Sequence, residues 1–273
     1  PQLPSLNTGS PFRPFNRSPQ VRYDYKPGYW TASLTGAYQQ QYLSYGPCGA
    51  SNTYKRDAVL PEMVLGIDHT KNGVSFGGNI DYNTIKPRVT TTGSDGKIYN
   101  SGQILGSLSY MVYGRYQHKK LMMLFQGFLG QNVTHFTLNS GYGISDFNPE
   151  TGEEHYTNYN GLYTMFNLSY GNKWRPGILL GYAKNLGTSK PLYKFTVAGA
   201  ESATIWGMST NIRSDYRISP FLSYSVSKYL LSAEYELTAA QYGTGKLNFE
   251  NGLYAENHNT VNHGARIVMT YYF

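Results

Sequence analysis

Thiols are almost missing from this sequence. Cys48 is the only cysteine in 273 residues, which excludes an internal disulfide framework or a thiolate metal cluster and leaves a free loop thiol. Long apolar runs are missing as well: no stretch approaches the roughly 18 uninterrupted apolar residues that a membrane-crossing helix needs. Charge is sparse, at 14% of residues. The opening PQLPSLNTG has neither the basic start nor the apolar run of a signal peptide. What is abundant is tyrosine, 27 against 12 Phe, together with 30 Gly. A phenol joins an apolar ring to a polar tip and suits a boundary between lipid and water. Modest hydropathy excludes a helical membrane protein but fits a barrel, whose strands show lipid a side chain only at every second position.

No long amphipathic helix is legible. Segments of about 10 to 15 residues alternate apolar and polar and come in pairs with very short links. QVRYDY and YWTASLTGAYQQQY flank KPG; EMVLGID and VSFGGNIDYNTI flank HTKNG, whose Asn-Gly favours a tight hairpin. ILGSLSYMVYGRY and LMMLFQGFLGQNV flank QHKK; GLYTMFNLSY and GILLGYAKNL flank GNKWRP. YRISPFLSYSV and YLLSAEYELTAAQYG flank SK, and VNHGARIVMTYYF closes the chain. Long polar stretches separate the pairs, at about 44–61, 87–103, 138–157, 188–214 and 244–259. The pattern predicts an all-β chain forming one domain over 1–273: a transmembrane antiparallel β-barrel with about 11 strands, short periplasmic turns and long extracellular loops. Because single-chain barrels of this kind have even strand numbers, an odd count leads us to expect further strands upstream of residue 1.

The alternation also assigns faces. Val74, Phe76, Ile80 and Tyr82 oppose Ser75, Asn79, Asp81 and Asn83; Tyr229, Leu231, Ala233, Tyr235 and Leu237 oppose Ser232, Glu234 and Glu236. In the last strand Ala265, Ile267, Met269, Tyr271 and Phe273 oppose Arg266, Val268 and Thr270. A soluble sandwich shows the same period with its apolar side inward, but here that side is aromatic near the strand ends, as a membrane girdle is.

The stretches LNTGSPFRPFNRSPQVRYDY, DYRISPFLSYSVSKYLLSAEYELTAAQYG and IVMTYYF resemble the DcaP-like porins of Gram-negative outer membranes, in the form found in gut anaerobes. The resemblance runs over most of the chain and is strongest in those three stretches. It implies trimers of barrels with about 16 strands, in the outer membrane of a Gram-negative bacterium. It also implies that Phe273, with Tyr271 and Met269 before it, is similar to the signal read by the barrel-assembly machinery. Passive diffusion of small hydrophilic solutes is the function implied, with basic constriction residues drawing in carboxylate-bearing ones.

Porin function depends on pore width and on the charges lining the narrowest point. Residues 1–17 hold Arg13 and Arg17, and their prolines and aromatic pair stiffen them enough to fold inward as a constriction loop; an outer loop solvated by its arginines is the alternative. Arg22, Arg115, Arg217 and Arg266 fall on the inward face and would form a basic ladder. Acids share that register, namely Asp24, Asp68, Asp81, Asp215, Glu234 and Glu236, so the formal charge of +7 does not establish anion selectivity. Much of the excess sits in the short turns, at Lys26, Lys71, Lys119, Lys120, Lys173, Arg175 and Lys228. These predict a basic periplasmic ring that contacts phospholipid phosphates or simply keeps the turns soluble.

Other motifs fail. His258 and His263 lie on opposite faces of a strand, and GTGK at 243–246 lacks phosphate-loop spacing. PETGEEHY at 149–156 reads as a solvated loop rather than a calcium or lipopolysaccharide site. His69, His118, His135 and His155 are scattered without an evident nucleophile partner, against a barrel protease or phospholipase. A structural subunit of an outer-membrane complex is the remaining alternative. No cofactor, metal, catalytic residue or nucleic acid is expected; the expected partners are outer-membrane lipids, lipopolysaccharide, small solutes and further copies of the chain.

Overall fold

Tight turns organise this chain. In the computed structural model, which describes residues 9–273, Asn72 and Gly73 take positive φ angles of 49° and 80°. That conformation matches the twist of two flanking strands, and a Cβ at Gly73 would collide with the Gln117 carbonyl. Four more short connections of two to four residues, at Lys26–Tyr29, Lys119–Lys120, Gly171–Lys173 and Ser227–Lys228, lie at the same end of the strands.

Eleven wall strands result: β1 (Gln20–Tyr25), β2 (Trp30–Ala37), β3 (Glu62–Lys71), β4 (Val74–Ile85), β5 (Leu105–His118) and β6 (Leu121–Gln131), followed by β7 (Glu153–Tyr170), β8 (Trp174–Thr188), β9 (Ile212–Val226), β10 (Tyr229–Asn248) and β11 (Leu253–Tyr271). Each pairs antiparallel with the next in chain order. They are the eleven segments expected from the alternation, and VSFGGNIDYNTI has the expected bounds. The strands form a curved wall with β1 and β11 at its two edges; among the described residues the barrel does not close.

The faces are inverted relative to a soluble protein. Apolar side chains such as Ile67 (54% exposed), Val112 (59%) and Ile267 (84%) stand outward, while Asn167, Ser219 and Glu234 are buried on the concave side. Hydrocarbon is the solvent that makes such an outer surface stable. The all-β barrel wall expected from period-2 patterning is the observed architecture.

The far end departs from expectation, because the stretches expected as loops carry further regular structure. Residues 244–259, expected as a loop, are mostly strand: β10 and β11 stay paired out to Asn248 and Leu253, with a bulge between Thr244 and Leu247. Backbone pairing continues there although Gly, Asn and Glu interrupt the apolar alternation that marks the rest of the wall. The stretches 138–157 and 188–214 are also partly strand, because Ser140–Asn148 pairs with both the start of β7 and Ile205–Met208. Tyr142, Tyr54, Ile85 and Leu105 make a buried cluster beneath these connections, with Tyr156 and Trp206 packed against it. A five-residue helix α1 (Thr53–Asp57) in the connection after β2 rests on β4.

Candidate functional site

Residues 9–17 lie against the concave face rather than in outer solvent. Gly9 turns the chain (φ 82°) and its carbonyl accepts the Phe12 amide at 2.8 Å. Phe12 is fully buried in an apolar patch of the inner wall that includes Leu124, Phe128, Tyr163, Met165 and Leu179. Gly181 makes the seat: a Cβ there would overlap the Phe12 ring. Arg217 on β9 donates from Nη1 to the Ser10 carbonyl at 2.8 Å, and its guanidinium stands 5.4 Å from the Phe12 ring centroid. Further on, the Phe15 amide donates to the Phe136 carbonyl at 3.0 Å. Of the expected constriction segment 1–17, residues 1–8 lie outside the described residues.

This docking carries Arg13 over the inner wall. It shares with Arg22, Asp68 and Gln126 a cavity of about 290 Å³. Burial pushes the Arg13 guanidinium below its ordinary pKa. Arg17 is exposed and lies over the Phe15 ring at 5.4 Å.

The expected basic ladder is not what the wall holds. Arg266 binds Glu236 at 2.7 Å and Glu234 at 3.8 Å, and Arg217 reaches Glu236 at 3.4 Å, so these four charges form a balanced network. Arg22 is likewise paired, with Asp24 at 2.6 Å. The correction has a simple cause. Cross-strand register places Glu234 opposite Arg266, and side chains on one face of paired strands meet. Arg115 instead donates to Gln117 and to the Met122 sulfur. Among the described residues, no carboxylate lies within ion-pair distance of Arg13, Arg17 or Arg115. Met269 and Tyr271 are exposed on β11, and Phe273 follows the strand, fully exposed.

At the tight-turn end, lysines stand over the aromatic girdle: Lys71 on Tyr29 at 4.4 Å, Lys173 on Tyr224 at 5.5 Å and Lys228 on Tyr271 at 5.9 Å. Arg175, expected in a turn, is the second residue of β8.

One cluster escaped the sequence reading. The 3-10 turn Thr134–Phe136 brings His135 to within 3.5 Å of Glu62, beside Asp81, so this histidine is not isolated. Lys55 of α1 is buried next to them and donates to Asn83 Oδ1 at 2.7 Å and the Thr84 carbonyl at 3.2 Å. Burial pushes the Lys55 ammonium down to about 8. The contributing segments are far apart in the chain, and no local motif joins them.

No family model matches the sequence, and no curated protein matches it. Solved structures do. The outer membrane channel DcaP of Acinetobacter baumannii is similar over 98% of this chain and 67% of its own length, at 13% identity and a TM-score of 0.61. OmpT, an outer membrane protein of Vibrio cholerae, is similar over 93% of this chain and 64% of its own length, at 12% identity and a TM-score of 0.47. The chain thus spans about two thirds of the DcaP channel's length, and its fold is that of an outer-membrane β-barrel.

Proposed function

We propose that this chain builds most of the wall and the narrow zone of a passive diffusion channel in a Gram-negative outer membrane, open to small hydrophilic solutes and favouring carboxylate-bearing ones. The observation that carries the reading is the segment 9–17, seated across a polar concave face by Phe12 and holding Arg13 over a cavity without a paired carboxylate. A guanidinium left without an acid partner is available to a solute carboxylate. Arg17 and Arg115 extend the same field, while Arg22 is neutralised by Asp24 and the Arg217–Glu236–Arg266–Glu234 network gives its part of the wall fixed, balanced charge.

The two edges bear on assembly. Unpaired backbone groups on β1 and β11 are untenable in hydrocarbon, so in the membrane both edges have to be paired. Lipid and lipopolysaccharide contact the outward apolar face, the terminal Met269, Tyr271 and Phe273 present themselves to the assembly machinery, and the working unit is a homotrimer.

Single-channel recording in a planar bilayer tests the reading on the full-length protein. Stable ohmic steps are expected, with reversal potentials in unequal salt shifting toward cations when Arg13 becomes Glu. A folded, inserted protein that passes no current refutes the channel.

A further inference from the structure

Glu62 opens β3, and Asp81 on β4 lies opposite Val64, two residues along the same inward face. His135 reaches them from the connection after β6, with Nε2 at 3.5 Å from Glu62 Oε2. The three side chains are sealed, at 3%, 4% and 0% exposure, and one ligand atom from each lies within 4.8 Å of the other two.

Their hydrogen bonding is unfinished. Asp81 Oδ1 and Oδ2, Glu62 Oε2 and both His135 ring nitrogens are buried without a hydrogen-bond partner. Lys55 faces the same carboxylates, yet its ammonium donates to the neutral oxygens of Asn83 and Thr84. Two carboxylates side by side and away from water repel each other, and orphaned acceptors of this kind are rare unless something occupies the space between them.

We infer that Glu62, Asp81 and His135 form a binding site for a first-row divalent cation, with Zn²⁺ the best match. One imidazole nitrogen with two carboxylates is a three-ligand set suited to Zn²⁺, and the imidazole tells against Ca²⁺ and Mg²⁺. Two ligands each about 2.1 Å from a tetrahedral metal stand about 3.4 Å apart; the Glu62–His135 separation is 3.5 Å. Asp81 borders a cavity of about 240 Å³ and Glu62 one of about 320 Å³, which supply a route from the lumen and room for a water as fourth ligand. The cation fastens the connection after β6 to the wall. The same connection supplies the Phe136 carbonyl that holds Phe15. The site thus stands behind the docked segment whether or not the pore conducts.

The full-length protein in detergent, stripped with chelator, is titrated with Zn²⁺ and separately with Ca²⁺ by calorimetry, and with Co²⁺ by visible absorption. One Zn²⁺ per chain is expected, with the intense visible bands of four-coordinate Co²⁺. The near-isosteric variants E62Q and D81N, and H135Q, should each weaken binding by at least about a hundredfold. Heat-modifiable migration verifies that each barrel is folded. Stripped wild-type protein that takes up no Zn²⁺, or that prefers Ca²⁺, overturns the inference regardless of how the variants fold. Folded variants that bind like wild type overturn the ligand assignment.

Discussion

Truncating Phe12 to alanine should unlatch residues 9–17 from the inner wall. The ring is fully buried against Leu124, Phe128, Tyr163 and Leu179, and removing a buried Phe side chain costs about 3–5 kcal/mol in a core that cannot collapse. The strands that line the seat, β6, β7 and β8, cannot collapse into the gap, since each is paired on both sides. The Arg217–Ser10 and Phe15–Phe136 hydrogen bonds, each contributing about 0.5–3 kcal/mol, and the Phe15–Tyr42 ring contact still hold the segment. A loss of about 3 kcal/mol raises the population of the undocked segment about a hundredfold or more. The Phe15 amide, protected by the Phe136 carbonyl, should exchange with deuterium faster by that factor, while wall amides such as Ser219 keep their protection. In bilayers the same variant should show larger or noisier current steps.

Gly181 supplies an internal control. A Cβ there overlaps the Phe12 ring, so G181A should also undock the segment, from the wall side. With Phe12 already truncated, the added methyl enters vacated space and its penalty should shrink, giving a coupling of about 1 kcal/mol or more in the double-mutant cycle. If F12A changes Phe15 exchange less than threefold, or if the two substitutions are additive, the ring does not hold the segment and the docking account fails.

Replacing Arg217 with Met leaves Glu236 with Arg266 and removes the donor to Ser10, so both segment protection and thermal stability should fall, by about 1–3 kcal/mol in a denaturation series. Reversing Lys71, Lys119, Lys173 and Lys228 to Glu should weaken retention of anionic phospholipid in native mass spectra; unchanged retention would leave solubility as the role of these turns. Lys55 predicts a pH response measured in chelator. Its folded value near 8 lies below the free value of 10.5, so the docked helix binds fewer protons between those limits and docking strengthens as pH rises through that window, by at most about tenfold per unit. Exchange at the Arg56 amide, corrected for the intrinsic rate, should become more protected from pH 8 to 10, and a flat profile would refute the lowered Lys55 pKa.

The wall was legible because hydrocarbon imposes its period on every strand it touches. In β4 and in the first half of β10, alternation between Phe76 or Leu231 and Asn79 or Ser232 declares both strand and face. Once water wets both sides of a strand, that signal stops while backbone pairing does not. Twenty residues at about 3.3 Å each, tilted about 40°, rise about 50 Å, roughly twice the apolar band of about 25 Å. The upper halves of β10 and β11, with Asn248, Asn257 and Asn259, therefore read as loop composition although they are extended and paired.

Side-chain meetings inside the barrel were illegible for a different reason. Glu234 and Arg266 are brought together by register, which a single strand does not encode, and each was visible only as an inward charge. Phe12 and Gly181, or His135 and Glu62, depend on two connections folding back over the wall, so no spacing in the chain marks them. These inward-folded pieces have a common physical basis. A barrel of more than about eight strands leaves an interior too large for wall side chains to fill, and backbone entering it has to satisfy its own hydrogen bonds. Segment 9–17 and the turn at 134–136 do so on each other, through Phe15 and Phe136, and each anchors one side chain in the wall. Phe12 is held by an apolar seat and His135 by two acids. The second anchor is also the proposed cation site, so stripping the cation should loosen the Phe136 connection and move Phe15 before it moves Phe12.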